Sequence, residues 1–249
     1  MIKKEDLFAI AKQKGLAIKF AEMDYLQEIA LLNISHEFGK RLVFKGGTCL
    51  YKLYKLNRFS EDLDFTATKG FKPREFFSRL PFFFNLLDVK CSVSVNEFEK
   101  GTNIYLDVNG PLYGGGKESR AKLILNISMR ERLVLPELRL PYMPFYHELR
   151  PFDIFAMDER EILAEKVRGI YERDKARDVY DLWYLLKRRN ISFDEKLARK
   201  KLFCKFEREK FLAKIEAKKS SWEKDLGQLI AGELPSFAQV KKEIEELIV

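Results

Sequence analysis

A short β-type run that ends in two glycines and resumes with helical spacing is the feature that most constrains the fold. Residues 41–45 read Arg-Leu-Val-Phe-Lys, Gly46 and Gly47 follow, and the apolar residues of 48–54 recur with the period of a helix. This order predicts a strand joined to a helix by a glycine turn. The chain is therefore predicted to contain a sheet with helices packed against it.

Residues 60–66 alternate polar and apolar side chains and predict a second strand. Because residues two apart on a strand share a face, Asp62 and Asp64 are expected to point one way while Leu63 and Phe65 point into the core. Two neighbouring carboxylates repel each other at neutral pH, and a bridging Mg²⁺ or Mn²⁺ ion makes the arrangement favourable. The pair therefore predicts a divalent-cation site, although a lone Asp-x-Asp pattern is more often a solvated strand face.

The glycine turn is a candidate phosphate-binding element. Small residues between a strand and a helix let backbone N–H groups and the helix N-terminus approach a phosphate closely. Gly46, Gly47 and Thr48 have this position, and one short predicted helix separates them from Asp62 and Asp64. The two groups can therefore converge on one nucleoside triphosphate. The simpler alternative is a tight connection in which Thr48 caps the helix.

The remaining periodicities divide the chain into two halves. The first half has helical patterns at residues 4–14, 17–38 and 73–87 and β-type runs at 89–98, 102–108 and 121–128. After a proline-punctuated connection over 136–151, helical patterns follow at 158–174, 176–189, 194–217, 221–231 and 236–249. We predict an α+β fold with a mixed sheet flanked by helices in residues 1–150 and a helical domain in residues 151–249.

Composition narrows the class of protein. The 249 residues carry a formal net charge of +8, which favours anionic partners such as nucleic acid or polyphosphate. The isolated Cys49, Cys91 and Cys204 lack the paired spacing of a disulfide framework or a zinc site. No apolar run is long enough to span a membrane, and the acids near the N-terminus do not fit a signal peptide. We therefore expect a soluble, cytoplasmic protein with no membrane association.

Two segments carry a family resemblance. Residues 44–50, FKGGTCL, and residues 58–65, RFSEDLDF, resemble the AbiEii/AbiGii toxin family of the DNA polymerase β-like nucleotidyltransferase superfamily. The resemblance continues through AEKVR at 164–168, Arg173 and RDVYDL at 177–182. It implies a nucleotidyltransferase-like mixed sheet and the function of a toxin in a type IV-like toxin–antitoxin or phage-defence system, with a cognate antitoxin protein as a partner.

The resemblance also implies an activity and a set of site residues. The enzyme would transfer a nucleotide from a nucleoside triphosphate to a macromolecular acceptor, and tRNA is favoured because relatives modify acceptor stems. Asp62 and Asp64 would bind Mg²⁺ or Mn²⁺, and Lys166 of the helical half would stabilise the triphosphate in a cleft between the halves. The residues expected to hold the phosphates are Lys45, Gly46, Gly47, Thr48 and Ser60.

The sequence departs from the superfamily at the third carboxylate. A later strand usually supplies it, and the aligned position is Asn126, whose amide can ligate a metal but cannot act as a carboxylate base. Asp178 or Asp181 takes the third acidic role, which we favour, or the acceptor is activated without it, or the enzyme is slow. If the alignment is shifted, Asp107 and Glu131 are the nearby acids.

The charges downstream of residue 164 have two interpretations. If one helix continues through residues 174 and 175, Lys166, Arg173 and Arg177 share a face and form a cationic stripe. Asp178 and Asp181 would then hold a cation of this stripe in place or belong to the active site themselves. The alternative is an ordinary salt-bridged helix surface.

Other functions remain open at this point. A protein target fits the catalytic motifs as well as tRNA does. A non-catalytic nucleotide- or RNA-binding module that keeps the fold would explain Asn126. A small-molecule nucleotidyltransferase would carry an acidic substrate pocket in place of a wide basic cleft.

Overall fold

The computed structural model describes residues 1–130 and 132–248, with the backbone alone described for residues 74–76. Glu131, one of the acids considered above, lies outside the described residues, as does Val249 at the end of the last predicted helix. The chain divides into two compact units. The first comprises residues 1–49, 61–133 and 137–156, and the second comprises residues 50–60, 134–136 and 157–249. The sequence pattern gave no sign that residues 50–60 and 134–136 group with the C-terminal helices.

Seven strands of the described chain form one sheet, and all of them belong to the first unit. They are β1 (Leu42–Lys45), β2 (Leu63–Ala67), β3 (Lys90–Phe98), β4 (Gly101–Asn109), β5 (Ala121–Ser128), β6 (Leu138–Tyr142) and β7 (Phe152–Ala156). Their order across the sheet is β3-β4-β5-β2-β1-β7-β6. β2 lies parallel to β5 and antiparallel to β1, so the sheet is mixed, as predicted.

Alternating burial along the strands sets one face of the sheet in the core. Leu123, Leu125 and Ile127 of β5 are buried, while the residues between them are partly exposed. The helices that begin before β3 are α1 (Lys4–Lys14), α2 (Ile18–Phe38), α3 (Gly46–Leu53) and α4 (Pro73–Asn85). α2 packs against β5 and β7, and α4 packs against α2 and β3. These contacts bury the apolar side chains of the strands.

Buried carboxylates on α2 fix the loops of the first unit. Glu22, Asp24 and Glu28 are all buried. Glu22 accepts a hydrogen bond from the backbone N–H of Leu112 at 2.6 Å, and Glu28 accepts one from the Tyr142 hydroxyl at 2.7 Å. A buried carboxylate is costly unless it is hydrogen bonded, so these loops are held in one arrangement against α2.

The second unit is helical. Its main helices are α5 (Glu159–Glu172), α6 (Ala176–Trp183), α7 (Glu195–Lys201), α8 (Arg208–Glu216), α9 (Trp222–Leu226) and α10 (Phe237–Leu247). Asp158 caps α5 and Ser236 caps α10, because each side chain accepts a hydrogen bond from a backbone N–H of the first turn. No helix of the described chain is both long and apolar enough to cross a membrane.

The structure corrects the predicted elements around residues 136–156 and 194–217. The sequence predicts a connection over residues 136–151 and helices beyond it, but β6 and β7 form an antiparallel pair there. Pro141 obscured β6, because proline is excluded from central strands but tolerated at a sheet edge. The single helix predicted over residues 194–217 is also wrong. It is two helices, α7 and α8, because the buried Leu202 is extended, with φ −80° and ψ 143°.

Candidate active site

The two aspartates lie at the start of β2, with Asp64 in the strand and Asp62 directly before it. The sequence predicts a strand from residue 60, whereas β2 begins at Leu63. Leu63 and Phe65 are fully buried, as predicted, and both aspartates are partly exposed. The carboxylates are therefore accessible, while the residues that alternate with them belong to the core.

Two buried side chains hold the backbone that leads into β2. Gln27 of α2 donates from Nε2 to the carbonyl oxygen of Glu61 at 2.8 Å, and the Thr48 hydroxyl donates to the carbonyl oxygen of Asp62. Because side chains bind these two carbonyls, the strand pairing starts only at Leu63. The Thr48 bond also uses the hydroxyl proton that was expected to bind a phosphate.

Gly46 is the residue at which the strand–helix unit meets Asp64. β1 runs directly into α3, and Gly46 makes the turn with a φ of +77°, which glycine adopts without strain. A Cβ atom at this position would lie 2.5 Å from Oδ2 of Asp64, so a larger residue would have to displace the carboxylate. Gly47 and Thr48 follow in the first turn of α3, where backbone N–H groups have no partner within the helix.

Lys45 and Asn126 flank Asp64 on the neighbouring strands. In the register of the sheet, Lys45 of β1 and Asn126 of β5 both lie directly opposite Asp64. The Asn126 amide donates from Nδ2 to Oδ1 of Asp64 at 3.0 Å. Asn126 therefore lies beside the aspartate, where it acts as a hydrogen-bond donor. Lys45 is buried, and so is Ser60, another expected phosphate ligand.

The described structure brings no third carboxylate to Asp64 within the first unit. Asp107 lies on β4, four residues beyond Asn103, which is the residue opposite Asn126. At about 3.3 Å per residue, Asp107 is therefore about 13 Å along the strand from the row that contains Asp64. Among the described residues, no three His, Cys, Asp or Glu side chains form a group that could hold a metal ion. A cation bound by Asp62 and Asp64 would complete its coordination with amide, water or substrate oxygens.

The second unit contains a buried cluster of four charged side chains, Arg58, Lys166, Asp178 and Asp181. Nζ of Lys166 lies 2.6 Å from Oδ2 of Asp181 and 3.1 Å from Oδ1 of Asp178. Arg58 donates from Nε and Nη2 to the two carboxylate oxygens of Asp181, at 2.9 and 2.8 Å. The two aspartates thus hold Lys166 in place, which is one of the roles considered for them from the sequence.

The cluster keeps Asp181 ionised. Burial acts to raise the pKa of Asp181, but attraction by Arg58 and Lys166 and their hydrogen bonds outweigh burial and lower the pKa to about 2. Burial acts to lower the pKa of Lys166, and attraction by Asp181 and Asp178 raises it above the ordinary lysine value. Both groups therefore stay charged at neutral pH. A carboxylate with so low a proton affinity is a poor general base.

Asp178 differs from Asp181 in having one oxygen that no donor reaches. Oδ1 accepts a hydrogen bond from Nη2 of Arg173 at 2.9 Å and pairs with Lys166. Oδ2 is buried and has no hydrogen-bond partner within the part of the chain that the structure describes. It lies against Gly169, where a Cβ atom would come within 2.9 Å of it. Because an unsatisfied buried acceptor is costly, Asp178 is the less completely satisfied of the two carboxylates.

The condition for a cationic stripe on one helix, a helix that continues through residues 174 and 175, is not met. α5 and α6 are separate helices, joined by a connection in which Arg173 is extended, with φ −123° and ψ 149°. Lys166 and Arg177 therefore lie on different helices and do not share a helix face. Arg173 reaches the cluster from the connection.

Comparison with known proteins decides the family. The family model described as "Nucleotidyl transferase AbiEii toxin, Type IV TA system" matches residues 30–243, a range that contains the buried charged cluster and, except for Gln27, the residues described around Asp64. The chain belongs to the AbiEii toxin family. As a member of this family it is an NTP-dependent nucleotidyltransferase and a toxin, and a toxin of such a system implies an antitoxin partner. The resemblance predicted from the sequence is confirmed.

Solved structures share the fold of this AbiEii toxin. MenT4, a nucleotidyltransferase toxin from Mycobacterium tuberculosis H37Rv, has a TM-score of 0.66 at 20% identity, and the match covers 96% of this chain and 87% of MenT4. JHP933 from Helicobacter pylori has a TM-score of 0.61 at 18% identity, with 93% of this chain and 91% of JHP933 covered. A search of curated proteins gave no match. The predicted α+β class is therefore confirmed.

The sequence pattern of this AbiEii toxin did not reveal the contacts of Arg58 and Gln27. Arg58 belongs to the motif that carries the resemblance, but its partner Asp181 is 123 residues away in the sequence. Gln27 occupies a fully buried position on α2. Gln27 is one of several buried polar residues of α2, so no sequence signal distinguished it from Glu22, Asp24 and Glu28.

Proposed function

We propose that this toxin transfers a nucleotide from a nucleoside triphosphate to an RNA acceptor in a reaction that requires Mg²⁺ or Mn²⁺, with tRNA as the favoured acceptor. The observation that carries the proposal is the packing of Asp64 against Gly46, at the turn from β1 into α3. This packing brings a carboxylate next to the free N–H groups of a helix start. A metal-bound triphosphate requires both kinds of group.

The residues around this turn suit a divalent cation. Asp62 and Asp64 offer the carboxylate oxygens that Mg²⁺ and Mn²⁺ prefer. The Asn126 amide fixes Oδ1 of Asp64, and the absence of a side chain at Gly46 lets Oδ2 pack against the turn. When bound, the cation neutralises charge on the triphosphate and on the pyrophosphate leaving group. The first turn of α3 binds phosphate oxygens through its backbone N–H groups, and Lys45 and Ser60 remain predicted phosphate ligands.

The buried cluster of the second unit supports two further roles. Lys166 contributes positive charge that stabilises the triphosphate, and Arg58 and Asp181 hold the lysine in place. Asp178 is the proposed third acidic residue, because its Oδ2 has no donor among the described residues, whereas Asp181 is fully engaged. Asp181 is assigned to positioning because both of its oxygens are engaged by Arg58 and its pKa is about 2.

The charge of the chain supports a polyanionic acceptor. A formal net charge of +8 favours association with nucleic acid, because each phosphate that a lysine or arginine neutralises releases counterions. Nucleoside triphosphates and tRNA occur together in the cytoplasm, which is the proposed place of action.

Label transfer tests the reaction and its acceptor together. The native chain is incubated with each α-labelled nucleoside triphosphate, Mg²⁺ or Mn²⁺, and total RNA. The same assay is run on Asp64→Ala, Lys166→Ala and Asp178→Asn. Asp107→Ala serves as the matched control, because Asp107 is an exposed carboxylate of the same sheet outside the row of Asp64.

We expect labelled RNA from the native chain and the Asp107→Ala control, and at least about a hundredfold less from the other three variants. Equal label from all chains would show that Asp64, Lys166 and Asp178 are not required for transfer and that the site is assigned wrongly. Label that enters a protein fraction would show a protein acceptor. Binding of the triphosphate without transfer to any acceptor would show a non-catalytic module.

A further inference from the structure

A row of amide side chains extends from Asp64 across one face of the sheet. Asn126 of β5 lies opposite Asp64, Asn103 of β4 lies opposite Asn126, and Asn96 of β3 lies opposite Asn103. We call these three asparagines the amide row. Directly opposite residues of a sheet point to the same face, so the amide row continues the side on which Asp64 stands.

The amide row is joined to the candidate site and open to solvent. Its first member donates the 3.0 Å hydrogen bond from Asn126 to Asp64. Asn126 and Asn103 are partly exposed, and Asn96 is exposed. Neighbouring strands lie about 4.8 Å apart, so the three steps from Asp64 to Asn96 span about 14 Å, which is longer than a single nucleotide.

An exposed aromatic ring stands beside the amide row. Tyr105 of β4 is 39% exposed, although a tyrosine on a sheet usually buries its ring. Its hydroxyl lies 3.5 Å from Nδ2 of Asn103, so the ring is on the face of the amide row. An open sheet face that combines an exposed aromatic ring with polar side chains is a recurring surface for single-stranded RNA, in which bases stack on the ring.

The amide row is neutral, and this determines what it can recognise. Asparagine offers one hydrogen-bond acceptor and two donors, which match the edges of bases and the hydroxyl groups of ribose. Phosphates are bound mainly by lysine and arginine, and none of the three positions carries such a residue. A contact made by the amide row should therefore depend little on salt.

We propose that the amide row and Tyr105 bind a single-stranded segment of the RNA acceptor and lead it to Asp64. Tyr105 stacks on a base, and Asn103 and Asn96 form hydrogen bonds to base edges or ribose hydroxyls. The proposal rests on the proposed function, because it identifies the acceptor surface of the same site. It assigns acceptor recognition to hydrogen bonding and stacking in the first unit.

Binding of RNA without any reaction tests the proposal directly. The full chain is titrated into a fluorescently labelled single-stranded RNA ten nucleotides long, and anisotropy is measured at two salt concentrations. The variants are Asn96→Ala, Asn103→Ala and Tyr105→Ala. Asn109→Ala is the matched control, since it removes an asparagine from the same face of β4, six residues or about 20 Å from Asn103.

We expect about fivefold weaker binding for each asparagine variant and about tenfold weaker binding for Tyr105→Ala. The salt dependence of binding should equal that of the native chain, because no charge is removed. In the transfer assay, the same variants should raise KM for RNA and leave KM for the nucleoside triphosphate unchanged. Asn109→Ala should behave as the native chain does in both assays.

Native affinity in all three variants would overturn the proposal, and so would an equal loss in Asn109→Ala. Melting curves for each variant identify any loss of binding that comes from unfolding, and the exposed Asn96 provides a position where truncation leaves the core intact. If the native chain transfers no nucleotide to RNA, the proposed function fails, and the anisotropy result still decides whether the amide row binds RNA.

Discussion

At Gly46, a single added methyl group should lower the catalytic rate strongly and the folding stability only modestly. In Gly46→Ala, the new Cβ atom meets Oδ2 of Asp64 at 2.5 Å and the residue keeps a φ of +77°. The carboxylate must move, and a displacement of about 1 Å near reacting groups costs about a hundredfold in rate. Left-handed backbone strain costs about 1–2 kcal/mol of folding free energy. Measurement of kcat and of unfolding in urea gives both quantities.

Gly70→Ala is the control for this prediction. Gly70 also has a positive φ, +90°, and no atom that the structure describes lies within 4 Å of a Cβ atom placed there. Gly70→Ala should therefore lose a similar amount of stability and retain its activity. If it loses as much activity as Gly46→Ala, the loss comes from backbone strain and the role assigned to Asp64 packing is wrong.

Asn126 should determine how strongly divalent cations stabilise the fold. Asn126→Asp replaces the donor to Asp64 with a second carboxylate, so the two charges repel each other in the absence of a cation. We expect a lower melting temperature without Mg²⁺ and a larger rise on adding Mg²⁺ than in the native chain. Asn109→Asp, at the far end of β4, should show no such gain. An equal rise in melting temperature on adding Mg²⁺ to both variants would show that Asn126 has no part in cation binding.

At the scale of elements, α5 and α6 depend on the buried charges that join them. A carboxyl group whose pKa is lower in the folded chain stabilises the fold above its unfolded pKa, near 3.8 for aspartate, and loses this effect as pH falls through the folded value. For Asp181 the folded pKa is about 2. Its contribution, about 2 kcal/mol, should therefore be constant above pH 5 and disappear between about pH 4 and pH 2.

Asp181→Asn should change this profile in a defined way. The substitution leaves Arg58 and Lys166 buried with one negative partner fewer, and breaking a buried ion pair from one side costs about 3–5 kcal/mol. Unfolding curves measured from pH 2 to pH 8 should show lower stability at neutral pH and a shallower loss between pH 4 and pH 2. A variant with the native profile would show that the cluster does not stabilise the helices.

Local pattern was sufficient for most elements, including the strand–helix unit that carries part of the candidate site. The spacing of apolar residues placed α2, β5 and the strand–helix unit, and alternation indicated that Leu63 is buried beside two partly exposed aspartates. β6 could not be predicted, because its pairing with β7 outweighs the effect of Pro141. The break between α7 and α8 depends on the burial of Leu202, which periodicity does not report.

The contacts of the site were harder to predict than its residues. Asp178 and Asp181 were expected near Lys166, but nothing in the sequence distinguished the aspartate with an unsatisfied oxygen from the one engaged by Arg58. That distinction depends on side-chain geometry between segments that are more than a hundred residues apart. Sequence spacing predicts which residues share an element and leaves such pairing undetermined.

At the scale of the whole molecule, the excess of positive charge should govern affinity for RNA. With a formal net charge of +8, total RNA affinity should fall at least about tenfold between 50 and 200 mM salt. The amide-row variants should lower the affinity at every salt concentration without changing the slope of log affinity against log salt concentration. Filter binding over a salt series measures the slope, and an affinity independent of salt would contradict an electrostatic contribution.

The distance along the chain between Arg58 and Asp181 has a consequence for biosynthesis. The arginine leaves the ribosome 123 residues before its counter-charge, a delay of about 6–25 seconds at ordinary rates of translation. During that interval no incomplete chain can assemble the cluster around Lys166. A product of translation that stops before residue 181 therefore keeps Arg58 without the carboxylate that binds it.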